Sequence, residues 1–226
     1  PAARSVFLMP ELPEVETLRR GLTQIVGRRV AAVRVRERRL RRPLARSFAR
    51  VLTGRRVTGV RRRGKYLLFD LDVGSIWLVH LGMSGTLVLV PPEVPIRTHT
   101  HVVVTLDDGR TLRFHDPRRF GLMRVGAAED LEEIGSLGVE PLDPAFSPCF
   151  LHRTARRHRR AVKSLLMDQR LVAGLGNIYA NEILFAAGVR PGRRTSLLSR
   201  ADAARIVAAT GSVLAAQTLA AAEHLH

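Results

Sequence analysis

Hydrophobic residues near the start of the chain recur with helical spacing. Within the segment "EVETLRRGLTQIV", one face of a helix would carry Val15, Leu18, Leu22, Ile25 and Val26. Acidic residues at the start and arginines further along suit the dipole of a helix, and Gly27 is a typical residue to end one. The pattern therefore predicts one leading helix.

The pattern then changes to short, alternating runs that are typical of β-strands. These runs are "RVAAVRVRE", "RRVTGVRRRGKYLLFDLD", "SIWLVHLGMSGTLVLV", "HTHVVVTLDDGRTLRFHD" and "FGLMRVG". The "DDG" at 107–109 predicts a hairpin turn inside the fourth run. Together they predict a β-sandwich or a flattened barrel behind the leading helix.

Near residue 138 a proline-rich stretch, "GVEPLDPAFSP", separates these runs from helical ones. The helical segments are "FLHRTARRHRRAVKSLLMD", "NIYANEILFAAG" and "SRADAARIVAATGSVLAAQTLAAAEHL". The sequence thus predicts an α+β chain with a β-rich domain over residues 9–138, a linker over 139–146 and an α-helical domain over 147–226. A basic cleft between two such domains would suit duplex DNA.

Charge changes this picture by pointing to a polyanionic partner. The formal net charge is +17, and residues 19–65 contain eighteen Lys or Arg but a single acid, Glu37. Such a surface repels itself unless a polyanion binds it, so nucleic acid is favoured. A genome that favours arginine codons, or a ribosomal type of RNA binder, would explain the same composition.

Cysteine and apolar composition exclude several classes of protein. The single cysteine, Cys149, excludes an internal disulfide and a cysteine-rich metal cluster, and it favours a reducing cytoplasm. The sequence contains no run of 18 or more apolar residues, so it predicts no membrane span. His99 and His101 share a face of a predicted strand without a carboxylate partner, so we predict no metal site.

The stretch "MPELPE" at 9–14 offers two interpretations. If Met9 were the start and were removed, Pro10 would carry a free secondary amine, which is nucleophilic near neutral pH. Such an amine forms a cationic iminium with a sugar aldehyde, and Glu11 or Glu14 could move protons beside it. Alternatively, the prolines stiffen the start of the helix and the acids suit its dipole. Spacing alone favours this second interpretation.

Four further motifs could contact nucleic acid, each with an ordinary structural alternative. Lys65 follows a glycine turn, and "HLGMSG" places His80 and Met83 in a tight loop, where Met could wedge between bases. The others are "HDPRRFG", whose Arg118, Arg119 and Phe120 suit phosphate binding and base stacking, and "AGLGNIYANE", whose Asn177 begins a helix after a glycine-rich turn. The structural alternatives, in the same order, are a solvated strand start, a core methionine, an ordinary basic loop and a plain helical hairpin.

Taken together, these motifs resemble the bacterial formamidopyrimidine-DNA glycosylases, which repair 8-oxoguanine. The resemblance extends over about residues 9–192 and rests on five segments in the same order: "MPELPEVETLRRGL", "RRRGKYLLF", "HLGMSG", "HDPRRFG" and "LVAGLGNIYANEILF". It implies a β-sandwich followed by a helix-two-turn-helix domain. It also implies a base-excision repair enzyme that flips a lesion out of duplex DNA and cleaves the abasic site.

The resemblance also implies roles for particular residues. Pro10 would be the nucleophile, Glu11 the general acid and base, and Glu14 a supporting acid. Lys65 would lie near lesion and phosphate, and Lys163 would be a lysine of the helical domain. The remaining residues fall into two groups: Met83, Arg118 and Phe120 would fill the gap left by the flipped base, and Arg119, His80 and Asn177 would contact phosphates.

Two departures from the family pattern lead to further expectations. The family ends in a zinc finger with four cysteines, which this sequence lacks, so we expect no cofactor in this chain. Residues 1–8 precede Met9 and would block the amine of Pro10, so we expect them to be a non-functional leader. The expected partner is duplex DNA with oxidised bases or abasic sites, bound by a monomer away from membranes. A non-catalytic DNA-binding relic of the family remains the alternative.

Overall fold

The computed structural model describes residues 10–223, and these form two compact units. The first unit contains Pro10 and Val15–Glu132, and the second contains Glu11–Glu14 and the chain from Glu133 onward. The predicted leader over residues 1–8, the predicted start at Met9 and the last residues of the predicted helical domain, 224–226, lie outside the described residues.

The first unit is a β-sandwich of two antiparallel sheets. One sheet has the order β1-β6-β7-β5 and the other β2-β3-β4-β8. The strands are β1 (Val30–Val35), β2 (Val57–Arg63), β3 (Tyr66–Leu71), β4 (Ile76–His80), β5 (Thr86–Val90), β6 (Thr100–Leu106), β7 (Thr111–His115) and β8 (Leu122–Gly126). The architecture confirms the predicted sandwich, and the "DDG" segment joins β6 to β7 as predicted.

Alternating hydrophobic residues of both sheets form the core of the sandwich. Phe69 and Trp77 pair across β3 and β4, and their rings stack with centroids 4.5 Å apart. The leading helix α1 (Leu12–Leu22) buries Val15 and Leu22 in this core, as its periodicity predicts. A short helix α2 (Phe48–Leu52), which the pattern did not predict, adds Phe48 and Leu52.

The second unit is helical. Its elements are the short α3 (Glu132–Gly135), which begins in the first unit, then α4 (Pro148–Arg156), α5 (Val162–Leu166), α6 (Asn177–Ala186) and α7 (Arg200–Glu223). Leu12 belongs to the core of this unit together with apolar residues of α4, α5, α6 and α7. Helix α1 therefore begins in one unit and continues in the other.

One predicted helix was wrong in extent, because residues 150–168 form two helices instead of one. Between them, the carbonyl of His158 accepts a hydrogen bond from the Thr195 hydroxyl at 2.6 Å, and the carbonyl of Arg160 accepts one from the Thr195 amide at 2.9 Å. Because these carbonyls are bound by residue 195, they do not continue the helical ladder. The interruption is tertiary in origin.

The predicted linker over 139–146 carries residues that pack within the helical unit. Val139 pairs with Val172 in a parallel bridge, and the side chain of Phe146 is buried in the core. The two units divide near residue 132, slightly earlier than the predicted boundary at 138.

Helix α7 is long and apolar enough, over Arg200–Ala221, to cross a membrane by length and composition alone. Its Ala203, Ile206 and Leu214 are fully buried in the core of the helical unit. Helix α7 therefore contributes one of its faces to that core.

Candidate active site

Glu11 is a fully buried carboxylate, with 0% of its surface exposed. Its oxygens accept hydrogen bonds from the backbone N–H groups of Gly176 at 2.7 Å, Ile178 at 2.9 Å and Tyr179 at 3.3 Å. These are the free donors at the start of α6, which any helix leaves for another acceptor. The anion at this glycine-rich turn is therefore a side chain of the protein itself, and its orientation is fixed by three bonds.

Glu14 lies beside Glu11 and is held by a second residue of α6. One carboxylate oxygen of Glu14 accepts a bond from the Glu11 backbone N–H at 2.9 Å, and the other accepts a short bond from the Tyr179 hydroxyl. Burial and this bond to Glu14 raise the pKa of Tyr179 well above its ordinary value, so the phenol stays a donor. The two acids and Tyr179 form one connected network.

Gln169 and Gly174 explain why the glycine-rich turn has the required shape. The side chain of Gln169 accepts from the Gly174 amide at 2.9 Å and donates to the Leu175 carbonyl at 2.7 Å. Gly174 has φ +92°, and a Cβ at this position would lie 2.8 Å from the Leu12 side chain. Only glycine combines this backbone angle with so close a neighbour.

Pro10 and Lys65 belong to the sandwich unit. Pro10 is buried and directly precedes Glu11 in the chain. Lys65 follows Gly64 in the two-residue turn between β2 and β3, with part of its side chain exposed. The turn is tight because Gly64 has φ +55°.

Asp116 connects the two loops that carry the predicted DNA-contacting residues of the sandwich. Its fully buried carboxylate accepts from the Ser84 hydroxyl at 2.7 Å and from the Gly121 amide at 2.8 Å. Its backbone carbonyl also accepts from the Arg119 amide at 3.1 Å. Since Ser84 belongs to the Met83 loop, one carboxylate fixes both loops.

Two glycines allow these loops to approach each other closely. A Cβ at Gly82 would lie 2.5 Å from the backbone carbon of Phe120, and Gly82 has φ +69°. A Cβ at Gly121 would lie 2.3 Å from the ring of Phe114. The structure thereby brings the loop of Met83 against that of Arg118 and Phe120.

Arg118 and Phe120 project together from this loop. The Arg118 guanidinium lies 4.7 Å from the centre of the Phe120 ring, a cation–π distance. The Phe120 side chain remains 41% exposed, although it is large and apolar. Met83 is partly exposed on the neighbouring loop. The Asp116 carboxylate holds the loops that carry this exposed ring and the methionine. Apolar side chains presented in this way can insert between bases.

His80 ends β4 at the base of the Met83 loop. Its Nδ1 accepts a hydrogen bond from the Gly82 amide at 2.9 Å, so the neutral ring carries its proton on Nε2. Burial, followed by the charges of Arg41 and Lys65, lowers the pKa of His80 from 6.5 to about 4. At neutral pH this side chain is therefore an uncharged donor.

Arg119 adopts a left-handed backbone conformation, with φ +57°, that few non-glycine residues take. Its guanidinium lies 3.6 Å from the carboxylate of Glu37. The side chain and amide of Arg39 lower the pKa of Glu37 to about 2, so this partner stays ionised. Glu37 is also the single acid of the basic segment noted in the sequence.

The remaining predicted residues lie in the helical unit. Asn177 is the first residue of α6 and its side chain is exposed. Lys163 lies in α5, partly exposed, and its amide donates to the Pro191 carbonyl at 3.1 Å. Asn177 thus shares its helix start with the backbone donors that hold Glu11, whereas Lys163 lies on another helix.

Comparison with known proteins gives the family of the chain. Residues 9–123 match the formamidopyrimidine-DNA glycosylase N-terminal domain, and residues 137–223 match the H2TH domain of the same glycosylases. The chain belongs to the formamidopyrimidine-DNA glycosylase family. The glycosylase of Thioalkalivibrio sulfidiphilus is 50% identical over 209 residues, which are 91% of this chain and 77% of that protein. The glycosylase of Methylococcus capsulatus is 51% identical over 92% of this chain and 78% of its own length.

Solved structures of formamidopyrimidine-DNA glycosylases have the same fold. The Lactococcus lactis enzyme, bound non-covalently to DNA containing an AP site, superposes with a TM-score of 0.86 at 28% identity, over 94% of this chain and 83% of that one. The MutM (Fpg) protein of Thermus thermophilus superposes with a TM-score of 0.81 at 40% identity, over 93% and 76% of the two chains.

Sequence reasoning missed three residues that organise the site: Asp116, Tyr179 and Gln169. The sequence alone gave Asp116 no role, although an acid inside a basic loop is itself a signal. Tyr179 and Gln169 gave no signal in the sequence, because their partners Glu14 and Gly174 are identified only by the fold.

The described residues do not provide the zinc site that the family resemblance implies. Such a finger uses four cysteines, whereas residues 10–223 contain only Cys149, which is exposed on α4. Among the same residues, no group of three or more His, Cys, Asp or Glu side chains is arranged to hold a metal ion.

Proposed function

We propose that this chain is a DNA glycosylase and AP lyase that removes oxidised purines, namely 8-oxoguanine and formamidopyrimidines, from duplex DNA. The observation that carries this proposal is the environment of Glu11, a buried carboxylate that is fixed by three N–H donors and directly follows Pro10. A carboxylate held by three donors, in the residue next in the chain to a proposed amine nucleophile, suits proton transfer during attack on a sugar.

In the proposed reaction the functional chain begins at Pro10, after removal of Met9. The family match begins at residue 9, which supports this start. The Pro10 nitrogen attacks C1′ of the damaged nucleotide, the bond between C1′ and the base breaks, and the base leaves with a proton. Ring opening then gives an iminium between C1′ and Pro10, which withdraws electrons from the sugar.

The iminium accounts for the proposed strand cleavage. It makes the C2′ proton acidic, so that loss of this proton expels the 3′ phosphate by β-elimination, and δ-elimination then expels the 5′ phosphate. Glu11 would transfer protons to and from the opening sugar. Glu14 would support Glu11, because its oxygen holds the Glu11 amide at 2.9 Å.

The loops held by Asp116 would fill the gap that the flipped-out lesion leaves in the duplex. Met83, Arg118 and Phe120 would occupy the gap, which offsets part of the few kcal/mol that unstacking costs. Phosphate contacts are proposed for the uncharged Nε2–H of His80 and for Arg119, Lys65, Lys163 and Asn177. Arg119 would exchange Glu37 for a phosphate on binding DNA.

The partner proposed from these residues is damaged duplex DNA in the bacterial cytoplasm. Solved relatives support it, because Lactococcus lactis structures hold DNA containing an abasic site or N7-benzyl-Fapy-dG. We propose that a monomer acts, and that the described residues work without a metal of their own. The basic segment over residues 19–65 supplies the charge that such a duplex requires.

Borohydride trapping tests the proposal. The chain is produced in two forms, one starting at Pro10 and one with residues 1–9 retained, and each is incubated with a duplex that contains 8-oxoguanine opposite cytosine. We expect a covalent DNA–protein adduct only with the form starting at Pro10, and peptide mapping should place the adduct on Pro10. A Glu11→Gln variant is expected to bind this duplex without cleaving it.

Other results would contradict the proposal in separate ways. An adduct on Pro1 or on any lysine would contradict the role of Pro10. Tight binding to the damaged duplex without an adduct in either form would favour the non-catalytic relic. Equal binding to damaged duplex, intact duplex and RNA would contradict a repair function altogether.

A further inference from the structure

A pocket rich in arginine on the exposed face of α4 is lined by none of the residues assigned a role above. It is an open concavity of about 630 Å³, lined mainly by α4 and by the first residue of α7. Its lining includes Cys149, His152, Arg153, Arg156, Arg157 and Arg200. This volume lies within the range of about 300–1,000 Å³ that is typical of sites for small molecules.

Helical periodicity explains how one face of α4 forms this pocket. Cys149, Arg153 and Arg156 recur at spacings of four and three residues, so they project from one side of the helix. Leu151 and Ala155 point to the opposite side and are fully buried in the core of the helical unit. One face of α4 therefore lines the pocket, while its opposite face packs in the core of the helical unit.

The arginines of the pocket have not been neutralised by the protein. In the part of the chain that the structure describes, no ion pair involves Arg153, Arg157 or Arg200, and the pocket lining includes no carboxylate. Arg156 donates to the Ser196 carbonyl at 2.8 Å, which positions its guanidinium. Three other arginines of the same unit do have acidic partners, since Arg160 pairs with Asp168, and Arg193 and Arg205 pair with Asp202.

We propose that this pocket binds a compact oligophosphate, such as inorganic tripolyphosphate or the triphosphate chain of a nucleotide. Four arginines line this one concavity, so their combined charge matches a ligand that concentrates three to four negative charges, and the guanidinium fork suits phosphate oxygens. None of the lining residues takes part in the proposed repair chemistry.

The single cysteine provides a direct readout of occupancy. Cys149 is exposed in the pocket lining, so an uncharged reagent such as N-ethylmaleimide labels one position only. At constant ionic strength, tripolyphosphate at ten times its Kd is expected to slow labelling about tenfold. The labelling rate is proportional to the fraction of chains whose pocket is empty, and that fraction falls about tenfold. Parallel measurements with ATP, with orthophosphate and with a 12-base-pair duplex distinguish the sources of phosphate.

Variants connect this protection to the arginines. The double variant R153Q/R156Q is expected to bind tripolyphosphate at least about tenfold more weakly in titration calorimetry, because two charge-assisted contacts are lost. Arg190→Gln, an exposed arginine of the same unit outside the pocket, is the matched control and should bind as the unaltered chain does. If the double variant does not fold, as judged by circular dichroism, Arg200→Gln replaces it.

Each outcome decides between the alternatives. Protection by tripolyphosphate alone assigns an inorganic ligand, protection by ATP alone assigns a nucleotide, and protection by both assigns the shared triphosphate chain. Protection by the duplex but by neither triphosphate, no protection by any anion, or unchanged affinity in the arginine variants would each overturn the proposal.

Discussion

The hydroxyl of Tyr179 donates a hydrogen bond to the carboxylate of Glu14, although 165 positions separate the two residues in the chain. The same helix, α6, also holds Glu11 through its first backbone N–H groups. Both acids of the "PELPE" segment are therefore positioned by one helix of the helical unit. Their geometry depends on α6 as much as on their own segment.

Removal of the Tyr179 hydroxyl tests this dependence. Tyr179→Phe leaves one Glu14 oxygen without its donor, so we expect a loss of about 1–3 kcal/mol in the free energy of unfolding. Urea denaturation of Y179F, E14Q and the double variant measures the coupling. A coupling energy near zero would show that the bond contributes nothing. We also expect Y179F to slow trapping on abasic DNA while DNA affinity is retained.

Gly82 tests whether the close approach of the two loops matters. Gly82→Ala adds a Cβ 2.5 Å from Phe120 at a positive φ, whereas Gly54→Ala adds one at φ +85° with no atom within 4 Å. We expect G54A to lower the free energy of unfolding by about 1–2 kcal/mol, from backbone strain alone. We expect G82A to lower it by clearly more. G82A alone should reduce the preference for lesion over intact duplex in fluorescence anisotropy. Equal losses in both variants would indicate that the loops separate without cost.

Asp116 tests whether one carboxylate fixes both loops. Asp116→Ala removes the acceptor for Ser84 and Gly121, so we expect the free energy of unfolding to fall by about 2–4 kcal/mol. We also expect this variant to bind damaged duplex more weakly. Asp116→Asn should lose less, because its oxygen can accept from Gly121 while its amide donates to Ser84. Thermal unfolding of these variants and of Ser84→Ala gives the comparison. Asn and Ala variants of equal stability would contradict this role.

His80 should make the stability of the sandwich depend on pH. Its folded pKa of about 4 lies below its unfolded value of 6.5, so the unfolded state binds more protons between these values. Stability due to this residue is thus retained above pH 6.5 and is lost as the pH falls towards 4. We expect the urea midpoint of the unaltered chain to fall more steeply over this range than that of His80→Gln. His158→Gln, an imidazole of the helical unit, serves as the control and should follow the unaltered chain.

The sequence by itself predicted the architecture and most of the residues assigned to the site. Period-two alternation and helical spacing identified the sandwich and the leading helix, because burial on one face imposes these patterns locally. The family was identified from five short segments, of which "HDPRRFG" and "HLGMSG" carry the loops. Their proposed functions stay predictions until trapping and binding are measured.

Only the tertiary structure decided how these segments support one another. It showed that α6 fixes Glu11 and Glu14, that Asp116 joins the loops of Met83 and Phe120, and that Thr195 interrupts a helix predicted to be continuous. A buried carboxylate or a free carbonyl must find a partner, but its own sequence neighbours do not reveal which distant group supplies it. Local patterns fix which face of an element is buried, whereas the partners of its polar groups are fixed by packing over long distances in the chain.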